Sequence, residues 1–241
     1  DRERLERTVR ERTHELAAEK ERSDGLLRNI LPASTAEELK ERGAAKARRY
    51  ERCTVLFSDF KGFSTFSSNM DSDLLVAELD HYFGLFDRLC DAHHMEKIKT
   101  IGDAYMCASG IPEPSATHAL DAVRMGMAML EAVEKSNTER RAKGLQEWPV
   151  RIGIHSGPVV AGVVGEKKFA YDIWGDTVNL ASRMETHGAA GRLNISGPVY
   201  AQVMDHVEVE PRGPIKVKGK GEVQMYFVVG LKTPGHDHGV V

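Results

Sequence analysis

The sequence predicts an α+β fold: a ferredoxin-like βαββαβ sandwich with additional short strands, preceded by a helical coiled-coil segment. Three observations predict it. Short strand-type runs alternate with longer amphipathic stripes in the order β-α-β-β-α-β. Hydrophobic residues make up 41% of the 241 residues, which suits a sizeable core in one compact domain plus an appendage. The first 30 or so residues are of different material, dominated by Glu, Arg, Lys, Ala and Leu, with no Gly before Gly25 and no Pro before Pro32.

Leu5, Val9, Leu16, Leu26 and Ile30 fall on one a/d-type seam, which predicts a dimeric coiled coil. Arg12, Glu19 and Ser23 share the seam, so a solvated helix competes with it. A thin seam suits a signal-transmitting helix, because two registers lie close in energy. Pro32 ends this helix, and Ala36 to Arg42 reads as another short one. The reading is therefore a signalling helix over 1–32, a transducing linker over 33–51, a globular domain over 52–230 and a flexible tail over 231–241.

Within the globular part, Cys53 to Phe57 is a strand-type run. Asp71 to His93 predicts a helix with Leu75, Leu79, Tyr82, Phe83, Phe86, Leu89 and Cys90 on one stripe. Lys97 to Ile101 and Ala104 to Ala108 predict a strand pair around Gly102-Asp103, a turn signal. A long helix spans Thr117 to Lys143, its Met-rich face read as core. Val150 to Ile154 and Val159 to Val164 predict a second strand pair, broken by Ser156-Gly157-Pro158. Gly175 to Glu185 reads as helix, and Leu193 to Ser196, Val207 to Val209, Ile215 to Val217 and Met225 to Val229 as short strands.

The formal net charge of -3 gives no global basic field to recruit nucleic acid or an anionic membrane. Cys53, Cys90 and Cys107 have no CxxC spacing and read as reduced, half-buried thiols of a cytoplasmic protein. No apolar run is long enough to cross a bilayer, and no signal peptide is evident. The chain begins inside a helical pattern, so a fragment is expected, with a sensor or membrane module upstream.

Three segments carry candidate chemistry. In Phe57-Ser58-Asp59-Phe60-Lys61-Gly62-Phe63-Ser64 an apolar strand runs into a carboxylate, a geometry that can hold a hard cation or simply cap a turn. Lys97-Ile98-Lys99-Thr100-Ile101-Gly102-Asp103-Ala104-Tyr105-Met106 offers a second carboxylate at a tight turn. In Phe169-Ala170-Tyr171-Asp172-Ile173-Trp174-Gly175-Asp176-Thr177-Val178-Asn179-Leu180-Ala181-Ser182-Arg183-Met184, Asn179 and Arg183 lie four apart and share a helix face, while Asp176 reads as a helix N-terminal charge. His93, His94 and His155 read as ordinary core or surface histidines, and His236 and His238 as tail residues with no specific role.

Together, and with Arg151-Ile152-Gly153-Ile154-His155-Ser156-Gly157 and Val217-Lys218-Gly219-Lys220-Gly221, these segments resemble the class III adenylyl and guanylyl cyclase family in content, order and separation. The resemblance covers about residues 48 to 230. It implies two catalytic domains paired head to tail, with sites at their interface. Asp59 and Asp103 match the family's metal-binding aspartates, helped by the Phe60 carbonyl, and two Mg²⁺ or Mn²⁺ ions per site are implied between them and the triphosphate. Arg183 matches the arginine that stabilises charge on the α-phosphate, and Asn179 the residue that orients the ribose. Lys218 and Arg151 match basic groups that contact phosphate.

Lys99 and Asp172 match the positions that read the base. A Lys only donates and an ionised Asp only accepts, which complements adenine N1 and its exocyclic amine and mismatches guanine. Family guanylyl cyclases usually carry Glu and a Cys-like residue there. The resemblance thus implies an adenylyl cyclase acting on ATP as a homodimer, with every matched position filled in one chain. Alternatives are a nucleotide-binding regulatory domain without turnover and a guanylyl or dual-specificity cyclase. A diguanylate cyclase ranks lower, since no GGDEF-like stretch is present.

Overall fold

The computed structural model describes residues 2–233. The chain divides into two units, one of Asp1–Arg48 with Gly162–Asp172 and one of Arg49–Ala161 with Ile173–Val241. The tail expected over 231–241, with His236 and His238, lies from residue 234 onward outside the described residues.

The first unit holds helices α1 (Arg2–Arg28) and α2 (Ala33–Arg42). Their junction follows from Pro32, whose φ of -54° suits the N-cap of α2 and which has no N–H to continue α1. Lys40 ties the two helices, pairing with Asp24 at 3.0 Å and Glu37 at 2.8 Å. Helix α1 buries no residue, and Leu5, Val9, Leu16, Leu26 and Ile30 are all exposed. A row of apolar side chains facing water gains nothing from burial within this chain.

The strands are β1 (Arg48–Phe60), β2 (Glu96–Ile101), β3 (Ala104–Ser109), β4 (Val150–Val164), β5 (Ala170–Trp174), β6 (Leu193–Ser196), β7 (Val207–Val217) and β8 (Gly221–Leu231). They form one sheet in the order β2-β3-β1-β4-β6-β8-β7, with β5 paired to β4. The segment β2-β3-β1-β4 is the ferredoxin-like arrangement that the sequence predicts, and most pairings are antiparallel; β4 and β6 run parallel.

The helices of the second unit are α3 (Phe63–Ser67), α4 (Ser72–Ala92), α5 (His118–Ala142), α6 (Asp176–Thr186) and α7 (Gly197–Val203). Asp71 caps α4 by accepting from the N–H groups of Asp73 and Leu74 at 3.0 and 3.3 Å. One face of the sheet, with Leu56, Ile152, Ile154, Leu193 and Ile195, packs with Tyr82 and Phe86 of α4, Met125 and Met129 of α5 and Val199 of α7. The Met-rich helix face is therefore core, as the sequence predicts.

Side chains alternate along a strand, so Gly153, between Ile152 and Ile154, looks to the opposite face, where α6 lies. A Cβ on Gly153 would sit 1.9 Å from the Glu185 nitrogen. Only glycine permits that approach of strand and helix backbones.

Some elements differ from the sequence reading. Val150 to Val164 is one continuous strand, not a pair of strands broken at Ser156-Gly157-Pro158. Gly157 and Pro158 serve packing there: the Thr177 hydroxyl donates to the Pro158 carbonyl at 2.7 Å, in space a Cβ on Gly157 would fill. Val207–Val209 and Ile215–Val217 belong to one strand with a bulge between Pro211 and Gly213. The three cysteines are fully buried thiols rather than half-buried ones.

Candidate active site

Strand β1 delivers Asp59 and Phe60 at its end, with opposite fates. The Phe60 ring is buried among Tyr82 at 5.0 Å, Trp148 at 5.1 Å and Phe86 at 6.3 Å. The Trp148 backbone is itself fixed by Asn137 of α5, which accepts from the backbone N–H at 2.7 Å and donates to the carbonyl at 3.1 Å. An aromatic ring so held anchors the strand end, and Asp59 beside it is half-buried.

Asp103 comes from the β2–β3 turn, where Gly102 takes a φ of +59°. Its Oδ2 accepts the Phe60 N–H at 2.9 Å, so one hydrogen bond ties the turn to the end of β1. Burial, then the negative charge of Asp59, pushes the Asp103 carboxyl above its usual value. A carboxyl whose charge is disfavoured by a neighbouring carboxylate is a natural seat for a cation.

Arg151, at the start of β4, faces both Asp59 and Glu185. Its Nε donates to Asp59 Oδ1 at 2.8 Å and its Nη2 to Oδ2 at 2.7 Å, a two-pronged pair. Its Nη1 donates to the Thr186 carbonyl at 3.4 Å. Glu185 Oε1 lies 2.8 Å from the same Nε, yet has no directed hydrogen bond, because the single Nε proton points at Asp59. Burial raises the Asp59 carboxyl, but hydrogen bonds from Arg151 and from the Glu185 side chain, with the positive charge of Arg151, outweigh it and hold the group below its usual range. Burial, then Asp59, pushes Glu185 up to about 8.

Helix α6 and the β7–β8 turn build a second cluster. Asn179, Arg183 and Lys218 line one cavity of about 520 Å³ together with Asp176, Ser182 and Lys220. All three are exposed. Asp176, in the first turn of α6, pairs with Lys220.

Lys99 is exposed on β2 directly after a bulge: Lys97 pairs with Cys107 but Lys99 with Met106, so Ile98 is the extra residue. Bulges re-aim the side chains that follow them. Asp172 is half-buried in the middle of β5.

The chain thus gathers Asp59, Phe60, Asp103 and Arg151 in one place, and Asn179, Arg183 and Lys218 in another. Arg151, matched by resemblance to a phosphate contact, stands with the carboxylates and does not line the second cavity. Glu185 escaped the sequence reading. Its signal was an acid two residues beyond Arg183, on the inward side of α6, where acids are seldom buried without a partner.

The donor set suits Mg²⁺ or Mn²⁺: two carboxylates with a backbone carbonyl between them in sequence are hard oxygen ligands. Among the described residues no group of three or more His, Cys, Asp and Glu could hold a metal, so oxygens of water and substrate would have to complete the shell.

The ferredoxin-like sheet thus brings two carboxylates together at a strand end and an adjoining turn, and α6 presents a basic, Asn-containing face. The sequence profile described as the adenylate and guanylate cyclase catalytic domain matches residues 45–230, and the chain belongs to that family. An adenylate cyclase of Mycobacterium tuberculosis is 40% identical over 228 residues, 93% of this chain and 51% of that protein. Human atrial natriuretic peptide receptor 2 is 38% identical over 230 residues, 94% of this chain and 22% of that protein. The chain therefore spans about half or less of the length of these relatives.

Among solved structures, the adenylyl cyclase CyaB from P. aeruginosa superposes with a TM-score of 0.72 at 32% identity, covering 77% of this chain and 96% of that one. The guanylate cyclase domain of RhGC from Catenaria anguillulae, in complex with GTP, gives 0.72 at 36%, covering 77% and 100%. Among the described residues no helix is long and apolar enough to cross a membrane.

Proposed function

We propose that this domain is an adenylyl cyclase that converts ATP to 3′,5′-cyclic AMP and pyrophosphate at sites shared across a head-to-tail homodimer. The observation that carries the reading is the hydrogen bond from the Phe60 N–H to Asp103, which ties the β2–β3 turn to the strand end that carries Asp59. These two carboxylates and the Phe60 carbonyl would hold Mg²⁺ or Mn²⁺. A divalent ion there supplies charge neutralisation for the triphosphate and acidifies the ribose 3′-hydroxyl.

The remaining roles belong to the chain's own side chains. Arg183 stabilises charge growing on the α-phosphate as the 3′-oxygen attacks in line and pyrophosphate departs. Asn179, one turn earlier on the same helix face, orients the ribose. Lys218 contacts the departing phosphates. Lys99 donates to adenine N1, and Asp172 accepts from the exocyclic amine. Lys99, Asn179, Arg183 and Lys218 are all exposed in a single chain, which suits half-sites completed by a second copy.

A guanylyl cyclase is the second reading, favoured by the 36% identity to the guanylate cyclase domain of RhGC. The experiment measures product from ATP and GTP side by side, with Mn²⁺ and with Mg²⁺, at several protein concentrations. Cyclic AMP with little cyclic GMP supports the adenylyl reading. Cyclic GMP transfers the assignment to the second, and bound nucleotide with no product makes the domain regulatory.

In the full-length protein, an upstream sensor would act through α1 and α2, in a cytoplasmic or membrane-anchored context.

A further inference from the structure

Asn is a poor residue for a helix interior and for a core, because its amide competes with the backbone for hydrogen bonds and must be paired when buried. Asn137 sits inside α5 and is 3% exposed. Its amide spans the backbone of a single residue, Trp148, accepting from the N–H at 2.7 Å and donating to the carbonyl at 3.1 Å. A side-chain amide suits this place because it offers a donor and an acceptor together, as a neighbouring strand would.

From Trp148 the constraint reaches the end of β1 by two routes. The Trp148 ring packs against Phe60 at 5.1 Å and against Phe63 and Phe66 of α3 at 5.9 and 5.1 Å, so it grips both sides of the Lys61-Gly62 turn. Pro149 supplies the second route. Its ring locks φ, and its carbonyl accepts the Lys61 N–H at 2.8 Å. The Lys61 N–H and the Phe60 carbonyl belong to one planar trans peptide and point opposite ways. Pro149 thereby sets the direction of the Phe60 carbonyl, while Asp103 holds the Phe60 N–H at 2.9 Å.

We propose that Asn137 is a positioning residue for the metal site: through Trp148, Pro149 and the Lys61 N–H it fixes the orientation of the Phe60 carbonyl. The inference rests on the reading of that carbonyl, with Asp59 and Asp103, as a holder of the divalent cation. Asn137 touches neither cation nor substrate, and acts only through the backbone that it pins.

The test uses the full chain and Mn²⁺ alone. Free Mn²⁺ is read by electron paramagnetic resonance, and the Lys61 amide by hydrogen exchange relative to the amides of β4. Asn137→Leu keeps the branched shape and removes both hydrogen bonds. The Lys61 amide should lose protection about 10-fold, and Mn²⁺ should bind about 10-fold more weakly, as when the outer-shell partners of a metal ligand are lost. Val133→Ala, one turn earlier in the buried part of α5, is the control for stability alone. It leaves a cavity and lowers the melting temperature, but should change neither readout in the folded protein. Circular dichroism confirms that each variant is folded; if Asn137→Leu is not, Asn137→Ser replaces it with the same expectations.

If Asn137→Leu weakens Mn²⁺ binding no more than Val133→Ala does, Asn137 only props the core and the inference is overturned. A Lys61 amide as protected as in the parent overturns the route through Pro149, and the inference with it. Asp59→Asn separates the two levels. Mn²⁺ binding that survives Asp59→Asn overturns the metal reading itself; binding lost in Asp59→Asn but untouched in Asn137→Leu overturns the positioning role alone.

Discussion

On the proposed reading, base choice rests on Lys99 and Asp172, two side chains whose chemistry is one-sided. Replacing Lys99 by Glu and Asp172 by Cys removes the donor for adenine N1 and the acceptor for its amine, and offers guanine an acceptor for its N1 proton. The ratio of kcat/KM for ATP over GTP should fall by about 100-fold or more, as it does where a polar group is left unpaired in the wrong complex. Steady-state kinetics with both nucleotides check this. His155 makes a separate prediction about stability. It is 8% exposed, with Nδ1 2.7 Å from the Ser196 hydroxyl, and burial depresses its pKa to about 4. The unfolded chain takes up this proton near 6.5. Between those values the unfolded state binds more protons, so stability is intact above about 6.5 and is lost as pH falls toward 4. At pH 5 the loss from this group is about 2 kcal/mol. Urea unfolding at pH 7.5 and 5 should show it, and His155→Asn should flatten the difference. Sequence alone marked His155 as an ordinary histidine and matched Asp59, Asp103, Asn179 and Arg183 by motif. Glu185 was missed despite its inward place on α6, because its partners Arg151 and Asp59 lie on distant strands.

Helix α6 depends on one residue of β4. With Ala in place of Gly153, the Cβ would meet the Glu185 nitrogen at 1.9 Å and the Met184 carbonyl carbon at 2.3 Å, both backbone atoms that cannot swing aside. The helix must lift, at about 3 kcal/mol by analogy with overpacked cores. Asn179 and Arg183 ride on that helix, so kcat should fall even where the variant remains folded. Denaturant titration and assays below the unfolding midpoint separate the two effects. Periodicity made α4, α5 and the β2–β3 hairpin legible, because each has a long stripe or a strong turn signal. It failed at β4, where Gly157-Pro158 mimics a turn but instead accommodates Thr177. It also passed over α7, whose Pro198 at a first-turn position signals a helix start but is followed by too few residues to show a period. The bulge at Ile98 left no mark in the sequence, since register belongs to the pairing and not to either strand.

For the whole molecule, every matched residue resides in one chain, yet Lys99, proposed to read the base, and Arg183 and Lys218, proposed to face phosphate, are exposed there. Polar groups that face water bind small anions weakly, because the site is wet and the charges are screened. A second copy that covers them would dry the site and strengthen each contact. The exposed seam of Leu5, Val9, Leu16, Leu26 and Ile30 on the N-terminal helix segment offers apolar surface for the same pairing. The proposed two-fold dimer would have two equivalent sites, each drawing Asp59 from one subunit and Lys99 from the other. Asp59→Ala and Lys99→Ala should each be nearly inactive alone. In a mixed dimer one site combines both lesions and the other carries neither. Random association makes half the dimers mixed, so an equimolar mixture should recover about a quarter of the parent activity. The recovered activity should rise with total protein concentration, since the intact site exists only in the dimer. If mixed dimers form, as native mass spectrometry of differently tagged chains would show, and no activity returns, Asp59 and Lys99 act within one subunit and the shared site is wrong.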